Sequence, residues 1–155
     1  MTETGTDHAP GQPEPTLAQM EGMTAADAYA LADFGWLLLE QGRPQSAALV
    51  FEALAIGNPR HAYFHALHGA ALQRAGRDDD ALAAYGRALE ADAGESAALV
   101  NRAEILLGRG GAGVAEAVEL LTRAIEQDSE GGRPETARAR ALASAAARRP
   151  PTDGP

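Results

Sequence analysis

Apolar residues recur through most of this sequence at the spacing of one face of an α-helix, and short turns rich in glycine, proline or aspartate separate the runs. The chain has no long stretch of β-branched residues, so the pattern does not favour a sheet. The predicted fold class is therefore all-α. Helices are expected over a short segment within 16–24 and over residues 25–41, 44–57, 60–75, 78–91, 95–109, 114–127 and 134–148.

Four marker residues repeat along the chain with a constant spacing. Two successive copies stand 34 positions apart, and they are Gly35, Gly42, Ala47 and Phe51, then Gly69, Gly76, Ala81 and Tyr85. A third copy, in which two residues are inserted into the turn 110–113, is Ala103, Gly110, Ala117 and Leu121. A period of 34 residues is typical of the tetratricopeptide repeat, which is a hairpin of two helices.

Each marker has a physical reason. Gly35 is expected where the two helices of the first hairpin cross, because a small residue permits close approach. Gly42 is expected to end the first helix in a left-handed conformation. Phe51 and its equivalents are expected to fill the space between repeats. Pro59 closes the first repeat, whereas the other two repeats lack a proline at this position.

The repeats predict one domain over residues 16–148, built as three helix hairpins in a right-handed superhelix. The hairpins span about residues 28–61, 62–95 and 96–131. A C-terminal helix over 134–148, which begins with a proline, is expected to cap the apolar face of the last repeat. The two tails, 1–15 and 149–155, are rich in proline, glycine and threonine and are expected to be disordered.

Composition narrows the partners and the compartment. Aromatic residues make up only 5% of the chain, so the core must be built mainly from alanine and leucine. The net charge of −9, with no lysine, disfavours nucleic acid and anionic membranes as partners, and the arginines of the last helix are interpreted as a solvated face. The sequence shows no cysteine, no secretory signal and no apolar run near the roughly 20 residues of a membrane helix. We expect a cytoplasmic protein.

The first helix of the first repeat carries apolar residues on two sides. Leu31, Phe34, Gly35 and Leu38 are expected to face the partner helix of the hairpin. A surface helix usually has a polar second side, but the second side of this helix is apolar. In a tetratricopeptide array, that side lines the concave groove. The predicted groove residues are, repeat by repeat, Tyr29, Ala32, Trp36 and Leu39; Tyr63, Ala66, Ala70, Gln73 and Arg74; Ala97, Val100, Glu104 and Leu107.

Two interpretations of Trp36 and Tyr29 stay open at this point. In the first, these rings form the aromatic end of a groove that binds a peptide segment of another protein, as aromatic side chains do at interface hot spots. In the second, residues 16–24 bury both rings.

The remaining polar motifs are interpreted as structural, and no catalytic, metal or cofactor site is predicted. His61, His65 and His68 could share a helix face, but no carboxylate completes a metal site. The aspartates at 78–80 suit the positive end of a helix. The stretch GRGGAG at 108–113 lacks the strand and the lysine of a phosphate loop. An enzyme is therefore not expected.

Some tetratricopeptide proteins clamp the C-terminal carboxylate of a chaperone with lysine, asparagine and arginine side chains. This chain has Ala32 and Asp33 in the corresponding part of the first repeat and no lysine at all. Asn101 and Arg74 alone do not rebuild that clamp, so a co-chaperone of this type is excluded.

Beyond the generic repeat, the sequence resembles the class II chaperones of bacterial type III secretion, the SycD/LcrH family. The resemblance covers residues 28–127, and the phrases that carry it are AYALADFGWLLLEQG, VFEALAIGNP, FHALHGAALQRAG, ALAAYGRALEAD and NRAEILLGRG. The last phrase is the most specific, because Ala103 and Glu104 are followed there by two leucines.

This resemblance implies a cytoplasmic chaperone that holds an extended, proline-containing segment of a hydrophobic translocator in its groove. Gln73, Arg74 and Glu104 are then candidates to hydrogen-bond the backbone of that segment. Two other functions stay open: a general tetratricopeptide scaffold in a bacterial complex, and a chaperone of a needle or filament subunit that cradles a helix. A homodimer also stays open.

Overall fold

The computed structural model describes residues 16–148, and within that range the chain forms helices and no strand. The helices are α1 Leu17–Met20, α2 Ala25–Glu40, α3 Pro44–Gly57, α4 Ala62–Arg74, α5 Asp78–Ala91, α6 Ser96–Arg109, α7 Gly113–Glu126 and α8 Pro134–Ala147. The tails at 1–15 and 149–155, for which disorder was expected, lie outside the described residues.

The long helices pack as three stacked hairpins. Helices α2 and α3, α4 and α5, and α6 and α7 form the hairpins, and α3 packs on α4 and α5 on α6 to join one hairpin to the next. Helix α8 packs on α7 and α6, while the short α1 contacts α3. The all-α prediction of three tetratricopeptide hairpins with a C-terminal capping helix is therefore confirmed.

The first two hairpin turns depend on a glycine in the left-handed region. Gly42 has φ +71° and Gly76 has φ +75°. In the first turn the N–H of Arg43 donates to the carbonyl of Leu38 at 2.9 Å, and the N–H of Gly42 donates to that of Leu39 at 3.0 Å. These two bonds satisfy carbonyl groups at the helix end, as a Schellman motif does. The third turn, which carries the insertion, instead has two successive glycines with positive φ.

The small and the bulky markers of a repeat pack directly on each other. A Cβ atom added to Gly35 would lie 2.4 Å from Cε1 of Phe51, and one added to Gly69 would lie 2.6 Å from Cε1 of Tyr85. Both rings are completely buried. The bulky marker therefore fills space within its own hairpin.

Aspartates end the second and third repeats, which lack the proline of the first. The carboxylate of Asp92 accepts the backbone N–H of Gly94 at 2.8 Å, and that of Asp128 accepts the backbone N–H of Arg133 at 2.8 Å. Such side-chain bonds turn the backbone out of a helix.

The capping helix α8 covers the last hairpin with small side chains. Ala139 is fully buried in the cluster formed by α6 and α7, and Leu142, Ala143 and Ala146 pack against the same cluster. The hydroxyl of Thr136 donates to Asp128 at 2.7 Å, which ties the start of α8 to the end of α7.

Candidate functional site

The side chains around Tyr29 form an aromatic cluster between the first and second repeats. The Tyr29 ring centroid lies 5.8 Å from that of Phe64, 6.0 Å from that of His61 and 6.4 Å from that of Tyr63. The Tyr29 hydroxyl and Nε2 of His61 are within hydrogen-bonding distance at 3.2 Å. Tyr29 is nevertheless 48% exposed, so the cluster presents an aromatic surface to solvent.

Trp36 lies further along α2 and is 38% exposed. Its ring stands edge-on to that of Phe51, with centroids 6.4 Å apart. One part of the indole therefore contacts the core, and the rest faces solvent.

Helix α1 does not bury these two rings. It packs at the C-terminal end of α3, where Thr16 Oγ1 donates to Asn58 Oδ1 at 3.1 Å and Ala18 lies against Gly57. Within the described residues, the interpretation that residues 16–24 cover Trp36 and Tyr29 is therefore not supported.

A hydrogen-bonded polar network lies toward the third repeat. The hydroxyl of Tyr85 donates to Oε1 of Gln73 at 2.8 Å, and Nε2 of Gln73 donates to Oε2 of Glu104 at 3.1 Å. The guanidinium of Arg138, on α8, forms an ion pair with Glu104 and donates to Oδ1 of Asn101 at 2.7 Å. The network joins α4, α5, α6 and the capping helix.

Burial determines the protonation state of Tyr85 in this network. Removal of the phenol from water raises its pKa well above the ordinary value of 10. Tyr85 therefore remains a neutral hydrogen-bond donor to Gln73 over the whole physiological range.

The structure divides the predicted groove residues into two sets. The side chains of the first set are at least partly exposed, and these residues are Tyr29, Trp36, Tyr63, Ala70, Gln73, Arg74, Ala97 and Glu104. The side chains of the second set pack between helices, and these residues are Ala32, Leu39, Ala66, Val100 and Leu107. Because its side chains are buried, the second set offers little surface to a ligand.

The prediction that Leu31 and Phe34 face the partner helix is wrong. They are 39% and 50% exposed. The buried side of α2 is formed by Ala28, Ala32, Gly35, Leu38 and Leu39. The contact between Gly35 and Phe51 turns that side toward α3, and Phe34, about 100° away around the helix, is left outside.

A cavity of about 440 Å³ adjoins the aromatic cluster between α1, α2 and the start of α4. Tyr29, His61 and Phe64 supply its aromatic wall, and Thr24 and Asn58 are among its polar lining residues. This cavity could not be predicted from the sequence because its lining comes from two separate stretches of the chain, residues 16–29 and 58–64. The role of Arg138 was not predicted either, because the arginines of the last helix were interpreted as a solvated face.

His61, His65 and His68 lie at and within the start of the second hairpin, where all three pack against neighbouring groups. His65 and His68 are buried, and Nε2–H of His65 donates to the carbonyl of Pro59 at 2.8 Å. His61 stacks on Phe64, with ring centroids 4.2 Å apart. No group of three side chains suited to a metal ion occurs among residues 16–148. No helix in the same range is long and apolar enough to cross a membrane.

No protein-family model and no curated protein matches this sequence. The fold, however, is similar to solved structures of secretion chaperones. The type III secretion translocator chaperone SycD of Yersinia enterocolitica is 25% identical, with a TM-score of 0.75, over 86% of this chain and 99% of SycD. PcrH of Pseudomonas aeruginosa is 24% identical, with a TM-score of 0.70, over 84% of this chain and 99% of PcrH.

A third similar structure contains a bound ligand. SycD of Yersinia enterocolitica in complex with a peptide of the translocator YopD is 25% identical, with a TM-score of 0.69, over 80% of this chain and 95% of SycD. The resemblance to the class II chaperones that the sequence predicts is therefore confirmed by the fold.

Proposed function

We propose that this protein is a chaperone that holds a segment of a type III secretion translocator in the groove formed by α2, α4 and α6. The observation that carries the proposal is the similarity to a translocator chaperone over 86% of the chain. SycD has been solved with a peptide of the translocator YopD, and we assign a ligand of the same class to this chain.

The proposed contacts are the groove residues with exposed side chains, named above from Tyr29 to Glu104. Burial of the exposed parts of Tyr29 and Trp36 against an apolar ligand supplies binding free energy of the size found at interface hot spots. A proline in the ligand lowers the cost of ordering it, because the φ angle of proline is already restricted. The ligand would otherwise expose apolar surface and aggregate.

The polar network sets the register of the ligand in this proposal. Gln73 and Glu104 already bond to each other, so their positions are defined before a ligand arrives. Gln73 uses one of its two amide hydrogens on Glu104, and the other remains for a backbone carbonyl. Arg74 lies next to Gln73 with an exposed side chain.

In this proposal the protein acts by binding and not by catalysis, and it works in the cytoplasm. The similar solved structures are those of chaperones. A translocator needs such a partner before export, so the chaperone and its ligand must share the compartment of synthesis.

Binding is tested with synthetic peptides that tile a translocator from the same genome. The chain has a single tryptophan, so fluorescence of Trp36 reports directly on the groove. The emission should be red-shifted in the unliganded protein and should shift to the blue when the correct peptide binds. If no translocator peptide changes the emission and none binds in calorimetry, the proposal fails.

A matched pair of variants locates the site. Trp36→Ala should weaken peptide binding at least about tenfold. It should lower the free energy of unfolding by less than the roughly 3–5 kcal/mol typical of a core tryptophan. Leu49→Ala is the control, because Leu49 is also exposed but lies on α3, where it lines a separate cavity with Glu52 and His68. Equal binding by both variants would contradict the groove assignment.

The form of the ligand separates the proposal from its rival, a chaperone of a helical needle or filament subunit. A translocator segment held in extended form should add no helical signal to the circular dichroism of the complex. A clear gain of helix would favour the rival instead.

A further inference from the structure

The cavity beside the aromatic cluster lies where the described part of the chain begins. Thr16 lines this cavity of about 440 Å³, and so do Tyr29 and Phe64 of the cluster. The position of Thr16 is fixed, because its Oγ1 donates to Oδ1 of Asn58 at 3.1 Å. Residues 1–15, which we call the N-terminal tail, are therefore joined to the fold at the rim of a cavity with an aromatic wall.

The N-terminal tail has the spacing of a proline-recognition motif. Pro10 and Pro13 are three positions apart in the stretch APGQPEP. A polyproline II helix has three residues per turn, so two prolines at this spacing share one face. Segments of this PxxP type bind grooves lined by aromatic side chains, and the restricted φ angle of proline lowers the entropic cost of ordering them. The aromatic cluster offers such a lining.

The tail is long enough to bring both prolines to the cluster. At about 3.1 Å per residue, Pro13 reaches up to roughly 9 Å from Thr16, and Pro10 reaches up to roughly 19 Å. Thr16 and Tyr29 line the same cavity, so Tyr29 is within reach of Pro13. The ring of Tyr63 is partly exposed, with its centroid 6.4 Å from that of Tyr29, so it is within reach of Pro10.

Charge at the rim favours the same contact. The tail carries acidic side chains and no lysine or arginine, and Glu14 stands only two positions before Thr16. Arg60 lines the cavity, whereas no carboxylate among the described residues does. The acidic side chain nearest to the fold is therefore placed beside a cavity whose lining includes a positive charge, and charges of opposite sign help to set the register of a bound segment.

We propose that residues 8–15 bind in this cavity of their own chain, with Pro13 against Tyr29 and Pro10 against Tyr63. The tail has no large apolar side chain with which to form a core of its own, but a preformed surface can order such a segment. Weak contacts suffice, because a short tether gives an effective concentration of about 1 mM or more.

The consequence for the groove rests on the proposed function. Tyr29 lines the cavity and is also one of the exposed groove residues. A bound tail therefore covers part of the aromatic end, and a translocator segment has to displace it. The tail acts as an intramolecular competitor, because it lowers the apparent affinity for the segment to the extent that it occupies the shared ring.

NMR spectroscopy of the full chain tests whether the tail is bound. The test variant combines Pro10→Ser with Pro13→Ser, and the control combines Pro150→Ser with Pro151→Ser near the other end of the sequence. The ring signals of Tyr29 should shift in the test variant, because the proline rings no longer pack on it, and should not shift in the control. Ring signals that are the same in all three proteins would overturn the inference.

The amide of Gly11, between the two prolines, gives a second NMR readout. Its heteronuclear NOE in the wild-type protein should be positive, as in folded backbone, and should fall in the test variant. The value should be the same at every protein concentration, because the tail and the cavity belong to one chain. A negative value in the wild-type protein would overturn the inference. A value that rises with concentration would also overturn it, because the tail of a second copy would then fill the cavity.

Calorimetry tests the competition with a synthetic peptide, the one that binds best when a translocator is tiled. We expect this peptide to bind the test variant about 2–10 times more tightly than the wild-type protein, because a segment tethered at millimolar effective concentration has been removed. Equal affinities would show that the tail and the peptide do not compete, and would overturn the competition. If no translocator peptide binds either protein, the proposed function fails, and the NMR measurements alone decide whether the tail is bound.

Discussion

The two ends of the proposed groove differ in the chemistry of their side chains. The first repeat exposes the rings of Tyr29 and Trp36 to solvent. Toward the third repeat, Gln73 and Arg138 each bond to Glu104. Burial of exposed apolar surface contributes about 25 cal/mol of favourable binding free energy per Å². A polar group that exchanges one hydrogen-bond partner for another adds little to the binding free energy. In the proposed function, the aromatic end is therefore suited to supply affinity, and the polar end is suited to position the ligand.

The largest expected effect comes from removal of residues 134–155, which breaks the polar end and leaves the aromatic end in place. The deletion uncovers the cluster around Leu121 and removes the ion pair of Arg138 with Glu104. We expect the free energy of unfolding to fall by at least about 3 kcal/mol, with aggregation, as measured by chemical denaturation. Deletion of 149–155 alone is the control and should have little effect. An unchanged stability after the longer deletion would show that α8 is not a cap.

A smaller effect is expected from Gly35→Ala, which disturbs only the aromatic end. The new Cβ atom would lie 2.4 Å from Cε1 of Phe51, the ring on which Trp36 packs. We expect a loss of about 1–3 kcal/mol in thermal or chemical unfolding, because the core is overpacked there. Gly108→Ala is the matched control, because nothing lies within 4 Å of its Cβ position, and it should raise stability by up to about 1 kcal/mol. Equal effects of both substitutions would contradict the close contact.

Arg138→Met tests the polar end by itself. Glu104 then loses its ion pair, and Asn101 loses a hydrogen bond. Because Arg138 and Glu104 are partly exposed, the free energy of unfolding should change by no more than about 1 kcal/mol. Peptide binding, measured by calorimetry, should weaken more than stability does, since Glu104 becomes mobile. Arg77→Ala, which breaks an exposed ion pair with Asp80, should change neither quantity.

The smallest expected effects are those of pH on stability: stability should fall both toward acid pH and toward alkaline pH, for different residues. Burial lowers the pKa of His61 and of His68 below the ordinary value of 6.5, although nearby Glu52 opposes the shift of His68 and Arg77, Arg87 and His65 add to it. The unfolded chain therefore takes up protons first, and stability should fall as pH decreases below about 6.5. Tyr85 has a raised pKa, so its contribution should be lost as pH rises above about 10.

Denaturation curves measured across this range test both directions, with His68→Gln as the variant. This substitution should reduce the loss of stability on the acid side and leave the alkaline side unchanged. An unaltered acid limb would show that His68 does not contribute to it.

Much of the fold could be predicted from the sequence because it depends on local rules. The spacing of 34 residues predicts the hairpins, and Gly42 and Gly76 predict turns that need a positive φ. Trp36 and Tyr29 could be assigned to an exposed aromatic surface because they stand out on a side of α2 that is normally polar.

The candidate site could be predicted only in part. Helical periodicity tells which residues share a side of α2, but the direction of that side depends on the neighbour that packs against it. The ring of Phe51 occupies the space beside Gly35, and this contact leaves Leu31 and Phe34 exposed. A contact between positions on two helices is not visible in the period of either one.

The sequence by itself determined the elements: their number, their type, their turns and the repeat that stacks them, all of which follow from short-range propensity and spacing. Only the tertiary structure decided which apolar residues are buried and which polar side chains bond to one another. Arg138 reaches Glu104 across 34 positions, and Gln73 reaches it across 31. Such bonds depend on how α8 and α4 lie against α6, because side chains far apart in the chain meet only after the helices have packed.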